Sequence, residues 1–197
     1  MNVNQSVDDG TRRWLLPHPE LARVFGGGIV PGSLILLGGD PGIGKSTLAL
    51  QLADTLARVV NASSVRLDNS PRQPVLYMSA EETVQQLRLR AQRLGTKDDL
   101  ESSPASVDAA RSIGLSPDVL VWGESSLDAL LDRIPSLKPA AIVVDSIQTV
   151  YTSASASAVG SVSQVKECAM QLLRAAKQYN IAIFLVGHVT KAGTVPA

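Results

Sequence analysis

The chain has 197 residues, of which 45% are hydrophobic and 18% are charged, values that are ordinary for one globular domain with a substantial core. Its formal net charge is zero, so composition favours neither nucleic acid nor a membrane surface as a partner. Its single cysteine, Cys168, excludes a disulfide framework and a cysteine-based zinc site, and no apolar run is long enough to span a membrane. The polar start is unlike a signal or transit peptide, so we expect a soluble intracellular protein.

The first part of the chain is predicted to be a flexible tail followed by a short helix. Residues 1–13 are polar and are interpreted as the tail, and residues 14–197 as the core. The pattern over residues 18–25 predicts a helix, which three glycines at 26–28 close. Pro31 and Gly32 then turn the chain into the first strand.

The next stretch is a complete phosphate-binding loop, because residues 39–46 match G-x-x-x-x-G-K-[ST]. An apolar run at 34–37 predicts a buried strand before it, and residues 45–60 predict a helix behind it. This strand-loop-helix context disfavours the alternative, a glycine-rich turn before an ordinary helix.

Each part of the loop has a chemical role in holding a nucleoside triphosphate. Glycines let the backbone wrap an anion, and its N–H groups and the helix N-terminus attract phosphate. Lys45 can reach the β and γ phosphates, and the Ser46 hydroxyl can ligate Mg²⁺. The predicted ATP contacts are Gly39, Asp40, Pro41, Gly42, Ile43, Gly44, Lys45, Ser46 and Thr47.

Strands and helices alternate through the rest of the chain, and the strands are continuous apolar runs. This pattern predicts an α/β fold with a central, mostly parallel sheet covered by helices on both faces. Strands are predicted at 75–78, 119–122, 141–144 and 181–186, and helices at 84–94, 125–134 and 164–179. Residues 151–163 form a Ser/Ala-rich loop, and Cys168 is interpreted as a buried small hydrophobe.

Two carboxylates at predicted strand ends complete the site. Asp145 closes an apolar strand and is predicted to serve Mg²⁺. Ser79 and Glu82 fit an S-x-x-E capping box, which leaves Glu81 to face the nucleotide and polarise the attacking water. The alternative is that both glutamates only favour the helix N-terminus.

Polar residues near the ends of two strands are candidates for sensing the γ-phosphate. They are Gln148, just past Asp145, and His188, at the end of the last strand. For each, an ordinary polar residue at a strand terminus is the alternative. A GTPase is rejected, because the T-K-x-D at 96–99 precedes Asp145 and the D-x-x-G glycine is absent after it.

Five separated stretches carry a family resemblance. They are residues 26–33 running into 38–47, then 77–82, 87–95, 144–150 and 185–191. Together they closely resemble the bacterial-type RadA (Sms) family of DNA repair proteins, over about residues 14–193.

The resemblance implies a RecA-like P-loop NTPase core that uses ATP and Mg²⁺. It implies hydrolysis stimulated by single-stranded or branched DNA, DNA damage sensing, and branch migration beside a recombinase filament, as a homo-hexamer when full length. Lys45 would contact phosphate, Ser46 and Asp145 would serve Mg²⁺, and Glu81 would be the catalytic base. The loop after Tyr151 would face DNA, although basic residues are absent from it. The resemblance implies a cytoplasmic, nucleoid-associated protein, or an organellar one in a eukaryote.

The chain departs from the family pattern at both ends. The family carries a four-cysteine zinc finger before the core, and a Lys-Asn-Arg-Phe-Gly motif and a Lon-protease-like domain after it. We therefore expect no zinc, a core incomplete at its C-terminus, and ATP binding without unaided branch migration. A fragment, a truncated gene model and a degenerate paralogue are the explanations. The alternative functions are a KaiC-like regulatory ATPase acting through protein partners and a non-hydrolysing ATP-binding module.

Overall fold

A computed structural model describes residues 13–62, 71–94 and 115–188. Apolar runs form the strands and amphipathic segments form the helices, as the spacing of hydrophobic residues requires. In chain order the elements are β1 (Trp14–Leu15), α1 (Pro19–Val24), β2 (Gly28–Ile29), β3 (Leu34–Gly39), α2 (Lys45–Asn61), β4 (Val75–Ser79), α3 (Val84–Leu94), β5 (Val119–Trp122), α4 (Leu127–Leu137), β6 (Ala141–Asp145), α5 (Val162–Tyr179) and β7 (Ala182–His188).

Five of these strands form a parallel sheet in the order β3-β7-β6-β4-β5. Every residue of β4 and β6 is buried, because neighbouring strands flank them and helices cover both faces. The predicted α/β class and parallel sheet are confirmed. All five strands run in one direction, so their carboxyl ends lie along a single edge of the sheet.

The two faces of the sheet have separate hydrophobic cores. Alternate strand residues point to opposite faces, so Tyr77 and Val143 belong to the core under α2 and α3. Their neighbours Leu76 and Ile142 belong to the core under α4 and α5. Cys168 lies in this second core with its side chain buried, as its position in the helical pattern predicts.

A short ribbon precedes the sheet and was not predicted. Trp14 pairs with Ile29 and Leu15 with Gly28, in antiparallel register. Trp14 is buried in the core under α2, which ties the start of the described chain to the domain. A two-residue strand carries no periodicity, so the sequence offers no signal for it. The tail predicted for residues 1–13 lies outside the described residues except for exposed Arg13.

The Ser/Ala-rich loop is attached to the domain at its beginning. Tyr151 bridges to Ser126, and the buried Thr152 donates its hydroxyl to Asp128 Oδ1 at 2.7 Å. The Ser153 N–H donates to Asp128 Oδ2 at 2.8 Å. At the far end, Ser161 caps α5 by accepting from the Gln164 N–H. The loop therefore has a fixed entry and a fixed exit.

Candidate functional site

The phosphate-binding loop connects the end of β3 to the start of α2. Gly44 is the N-cap of α2 and has a φ of 94°, a left-handed conformation that a residue with a Cβ rarely adopts. Residues 40–44 are exposed to solvent. The first N–H groups of α2 and the positive end of its dipole are thus presented at an accessible surface.

Lys45 folds back over this loop and is 8% exposed. Its Nζ donates to the carbonyl oxygens of Gly39 at 2.9 Å and Asp40 at 2.8 Å, and lies 3.2 Å from His188 Nδ1. The ammonium charge is consequently held at the mouth of the loop without a carboxylate partner among the described residues.

Ser46, in the first turn of α2, contacts the carboxylate at the end of β6. The Ser46 hydroxyl donates to Asp145 Oδ1 at 3.1 Å. The Tyr77 hydroxyl, from β4, donates to Asp145 Oδ2 at 2.6 Å and lies 3.3 Å from the Ser46 carbonyl oxygen. Burial raises the pKa of Tyr77 far above its ordinary value, and the Asp145 charge raises it further. Tyr77 is therefore a permanent donor at neutral pH.

Glu81 lies just beyond the end of β4, next to the end of β6. Sheet register places Ser79 opposite Asp145, and the buried Ser146 hydroxyl donates to Glu81 Oε1 at 2.5 Å. The Asp145–Ser146 peptide bond is cis. Glu81 itself is exposed, so its carboxylate is held at one oxygen and accessible to water.

Glu82 pairs with Arg90 of α3, and the capping prediction needs correction. The Ser79 hydroxyl accepts from the Glu82 N–H at 3.2 Å, but the Glu82 carboxylate forms a salt bridge with Arg90 rather than capping in return. The reciprocal box belongs to Thr83 and Gln86: the Gln86 N–H donates to Thr83 Oγ1 at 3.3 Å, and Gln86 Oε1 accepts from the Thr83 N–H at 2.9 Å. The helix begins at Val84, because this T-x-x-Q box follows the S-x-x-E pattern by four residues.

The two candidates for γ-phosphate sensing contact each other. Gln148 Nε2 donates to the His188 carbonyl oxygen at 3.3 Å, and the buried Gln148 Oε1 has no hydrogen-bond partner among residues 13–62, 71–94 and 115–188. His188 also contacts Lys45, as described above. The structure thus brings Gln148 and His188 to the loop side of the sheet edge. Their role toward a phosphate stays a prediction.

The two predicted metal ligands, Ser46 and Asp145, fit a Mg²⁺ ion that binds together with a nucleotide. Ser46 Oγ and Asp145 Oδ1 are adjacent, and both are hard oxygen ligands. Among residues 13–62, 71–94 and 115–188, no three His, Cys, Asp or Glu side chains cluster as a metal site. Mg²⁺ commonly takes one or two protein oxygens and completes its shell with phosphate and water, which this pair allows.

Sequence reasoning missed two members of this site. Tyr77 and Ser146 lie 68 and 65 residues from the side chains they bond, and each looks from sequence like an ordinary core or turn residue. Ser146 could have been found from sheet register, because it directly follows Asp145, which pairs with Ser79 near Glu81. Tyr77 lies in the middle of β4, opposite Val143, and has no such signal.

Comparison with known proteins agrees with this geometry. A family model described as "AAA domain" matches residues 5–194. The DNA repair protein RadA of Synechocystis sp. is 46% identical over 195 residues, which are 99% of this chain and 36% of that protein. RadA of Listeria monocytogenes is 45% identical over 193 residues, and RadA of Bacillus subtilis 44% over 176. These stretches cover 98% and 89% of this chain and 36% and 32% of the relatives. The chain thus spans about a third of the length of the relatives it matches.

A solved structure supports the same fold. The crystal structure of a KaiC-like protein from Pyrococcus horikoshii OT3 superposes with a TM-score of 0.62, covering 95% of this chain and 74% of that one. Sequence identity is 17%, so this likeness concerns the fold alone. The sheet order, the phosphate loop and this neighbour together establish an α/β P-loop NTPase fold of the RecA and KaiC type. Within the described residues, no helix is long and apolar enough to cross a membrane.

Proposed function

Because the chain belongs to the AAA domain family and is RadA-like over nearly its whole length, we propose that it is an ATP hydrolase of recombinational DNA repair. One observation carries the enzymatic part. Lys45, Ser46, Asp145 and Glu81 come from three different strand ends and converge at one edge of the sheet. A protein that only binds phosphate needs the loop, but it does not need a second carboxylate, such as that of Glu81, next to the loop.

In this proposal each side chain has one task. The N–H groups at the start of α2 bind phosphate oxygens, and Lys45 exchanges its carbonyl partners for the β and γ phosphates. Ser46 and Asp145 hold Mg²⁺, which neutralises charge on the phosphate oxygens when bound. Glu81 accepts a proton from the attacking water, while the Ser146 hydroxyl fixes the direction of the carboxylate. Gln148 and His188 sense the γ-phosphate in this proposal, which is supported by their contact with each other and by that of His188 with Lys45.

The proposed partner is single-stranded or branched DNA. Supporting this are the relatives' name, DNA repair protein RadA, and the Ser/Ala-rich loop at 151–163, which leaves the sheet at the same edge as the phosphate loop. In the whole protein this would serve damage sensing and branch migration by a homo-hexamer beside a recombinase filament, in the cytoplasm at the nucleoid.

The test is ATP hydrolysis by the purified chain with and without single-stranded DNA. We expect DNA to stimulate turnover, and Lys45→Ala to weaken ATP affinity about 10- to 100-fold, because a charged hydrogen bond contributes roughly 1.5–3 kcal/mol. Lys166→Ala, an exposed change on α5, serves as the matched control.

The other readings give different results in the same assay. Hydrolysis indifferent to DNA would favour a KaiC-like regulatory ATPase that acts through protein partners. Tight ATP binding without turnover, unchanged by Glu81→Gln, would leave a non-hydrolysing module. No ATP binding at all would overturn the proposal.

A further inference from the structure

Tyr77 is a fully buried tyrosine whose hydroxyl reaches the nucleotide site from beneath. It lies on β4, between β5 and β6, and is 0% exposed. Strand alternation directs its side chain toward α2, into the core under the phosphate loop. A phenylalanine would fill the same apolar space, so the hydroxyl is the part of this side chain that packing does not require.

The hydroxyl closes a ring of three polar contacts. Tyr77 OH lies 2.6 Å from Asp145 Oδ2, Asp145 Oδ1 lies 3.1 Å from Ser46 Oγ, and the Ser46 carbonyl oxygen lies 3.3 Å from Tyr77 OH. Three elements are thereby joined at one point: β4, β6 and the first turn of α2. Within the described residues, Tyr77 is the side chain that donates to Asp145 Oδ2.

The ring determines which oxygen of the carboxylate is directed at Ser46. A carboxylate can rotate about its Cβ–Cγ bond, and its two oxygens are chemically equivalent until something binds one of them. With Oδ2 occupied by Tyr77, Oδ1 is left beside the Ser46 hydroxyl, where the predicted cation would lie. Such outer hydrogen bonds orient metal ligands and commonly contribute 10- to 100-fold to metal affinity.

We propose that Tyr77 is a positioning residue for the Mg²⁺ site: its hydroxyl holds Asp145 and the first turn of α2 in the relative placement that Mg²⁺ binding requires. This inference rests on the proposed function, since it assumes that Ser46 and Asp145 bind Mg²⁺ with a nucleotide. The proposal adds to the site a residue of β4, which is neither in the phosphate-binding loop nor on β6, the strand that ends at Asp145. Tyr77 would act through its hydrogen bond to Asp145 and not as a ligand of the metal.

The test compares Tyr77→Phe with the wild-type chain in binding of a fluorescent ATP analogue. Affinity is measured in EDTA and then across a Mg²⁺ titration, with thermal unfolding in EDTA as a fold check. We expect the Mg²⁺ concentration for half-maximal binding to rise about tenfold. Affinity in EDTA should change by less than about twofold, because the loop N–H groups and Lys45 are untouched. Tyr179→Phe, at an exposed tyrosine on α5, is the matched control.

Two results would overturn the inference. One is a Mg²⁺ titration of Tyr77→Phe that superposes on that of Tyr179→Phe. The other is an equal loss of affinity in EDTA and in Mg²⁺, which would show a general structural role. If the wild-type chain shows no Mg²⁺-dependent nucleotide binding, the proposed function itself fails, which is a different outcome.

A second measurement uses the wild-type chain and so does not depend on the folding of a variant. The chain has three tyrosines, so ¹³C labelling of the ring carbon that bears the hydroxyl gives three signals. Tyr151→Phe and Tyr179→Phe assign the other two. We expect the Tyr77 signal to shift when Mg²⁺ is added to the nucleotide complex, because its acceptor then shares charge with the cation. An unmoved signal would contradict the inference.

Discussion

Glu81 and Ser146 lie 65 residues apart in the chain and 2.5 Å apart at their side-chain oxygens. The Ser146 hydroxyl is buried while the carboxylate it holds is exposed, so one residue provides rigidity and the other provides access. A general base is effective only when its free oxygen is aimed at the proton it accepts. Under the proposed function the pair would divide two tasks, proton transfer by Glu81 and orientation of its carboxylate by Ser146.

The separation predicts two graded losses of activity. Glu81→Gln should lower kcat about 100-fold or more, because it removes the base and keeps the volume. Ser146→Ala should lower kcat about tenfold with KM for ATP nearly unchanged, because it frees the carboxylate without touching the phosphate contacts. Steady-state hydrolysis and equilibrium ATP binding measure the two effects separately. A Ser146→Ala variant that binds ATP more weakly at unchanged kcat would contradict this assignment.

Among single residues, the site residues that could be predicted are those that a short stretch of neighbouring sequence identifies. Lys45 and Ser46 follow from a contiguous motif, and Asp145 from its place at the end of an apolar run. Tyr77 was not predictable, because its partner lies 68 residues away and its hydroxyl is invisible in the apolar pattern of β4. The contact between Lys45 and His188 spans 143 residues and likewise depends on sheet order.

Among the elements, the entry to the Ser/Ala-rich loop shows how a segment without periodicity is anchored. Two donors from the loop, the Ser153 N–H and the Thr152 hydroxyl, bind the carboxylate of Asp128 in the first turn of α4. The Ser153 N–H, and after it the Thr152 hydroxyl, hold the pKa of Asp128 below its ordinary value of 3.8. The anchor therefore depends on a charge.

This anchor predicts a pH-dependent effect of Asp128→Asn. Because the pKa of Asp128 is lower in the folded chain, the unfolded chain binds the proton more readily. The stabilisation by the Asp128 carboxylate is therefore complete above pH 3.8, and it is lost as the pH falls through the folded-state pKa. At about pH 7 the substitution should lower the free energy of unfolding by on the order of 0.5–1 kcal/mol, as for a hydrogen-bonded surface group. At low pH the difference should shrink toward zero. Urea unfolding measures it, with Asp132→Asn on the same helix as control. A difference constant with pH would contradict the prediction.

Whether a segment is a helix or a strand was predictable where burial imposes a hydrophobic pattern. The residues at which a helix is capped or ends were less predictable. All five sheet strands were expected because parallel strands are continuous apolar runs. The start of α3 at Val84 agrees with the predicted helix over 84–94, but its capping residues were misassigned, because S-x-x-E and T-x-x-Q follow one another and only the pairing of Glu82 with Arg90 decides between them. The predicted end of α4 is Ile134, before Pro135, yet the helix continues to Leu137 although Pro135 has no N–H to donate.

At the scale of the whole molecule, the strand that leads into the phosphate-binding loop, β3, is an edge strand of the sheet. β3 pairs with β7, and in the described part of the chain it has no strand on its other side. Leu36, in the middle of β3, is 59% exposed. An apolar strand edge of this kind can pair with a second copy of the chain.

This edge predicts concentration-dependent self-association that one charge should reduce. Leu36→Lys should lower the average mass seen by sedimentation at high protein concentration, because a lysine on an edge strand opposes edge-to-edge pairing. Val159→Lys adds the same charge at a loop residue that is 56% exposed, and should have little effect. Equal effects of the two substitutions would show that net charge, rather than the strand edge, controls association.

The pairing of β3 with β7 also has a consequence for synthesis on the ribosome. The strand that carries the phosphate loop emerges early, but its described neighbour in the sheet is the final described strand, and Lys45 and His188 are separated by 143 residues. At roughly 5–20 residues per second, on the order of ten seconds pass between the two. The nascent chain therefore holds a complete nucleotide motif long before it holds a nucleotide site, and ATP can stabilise only the finished domain.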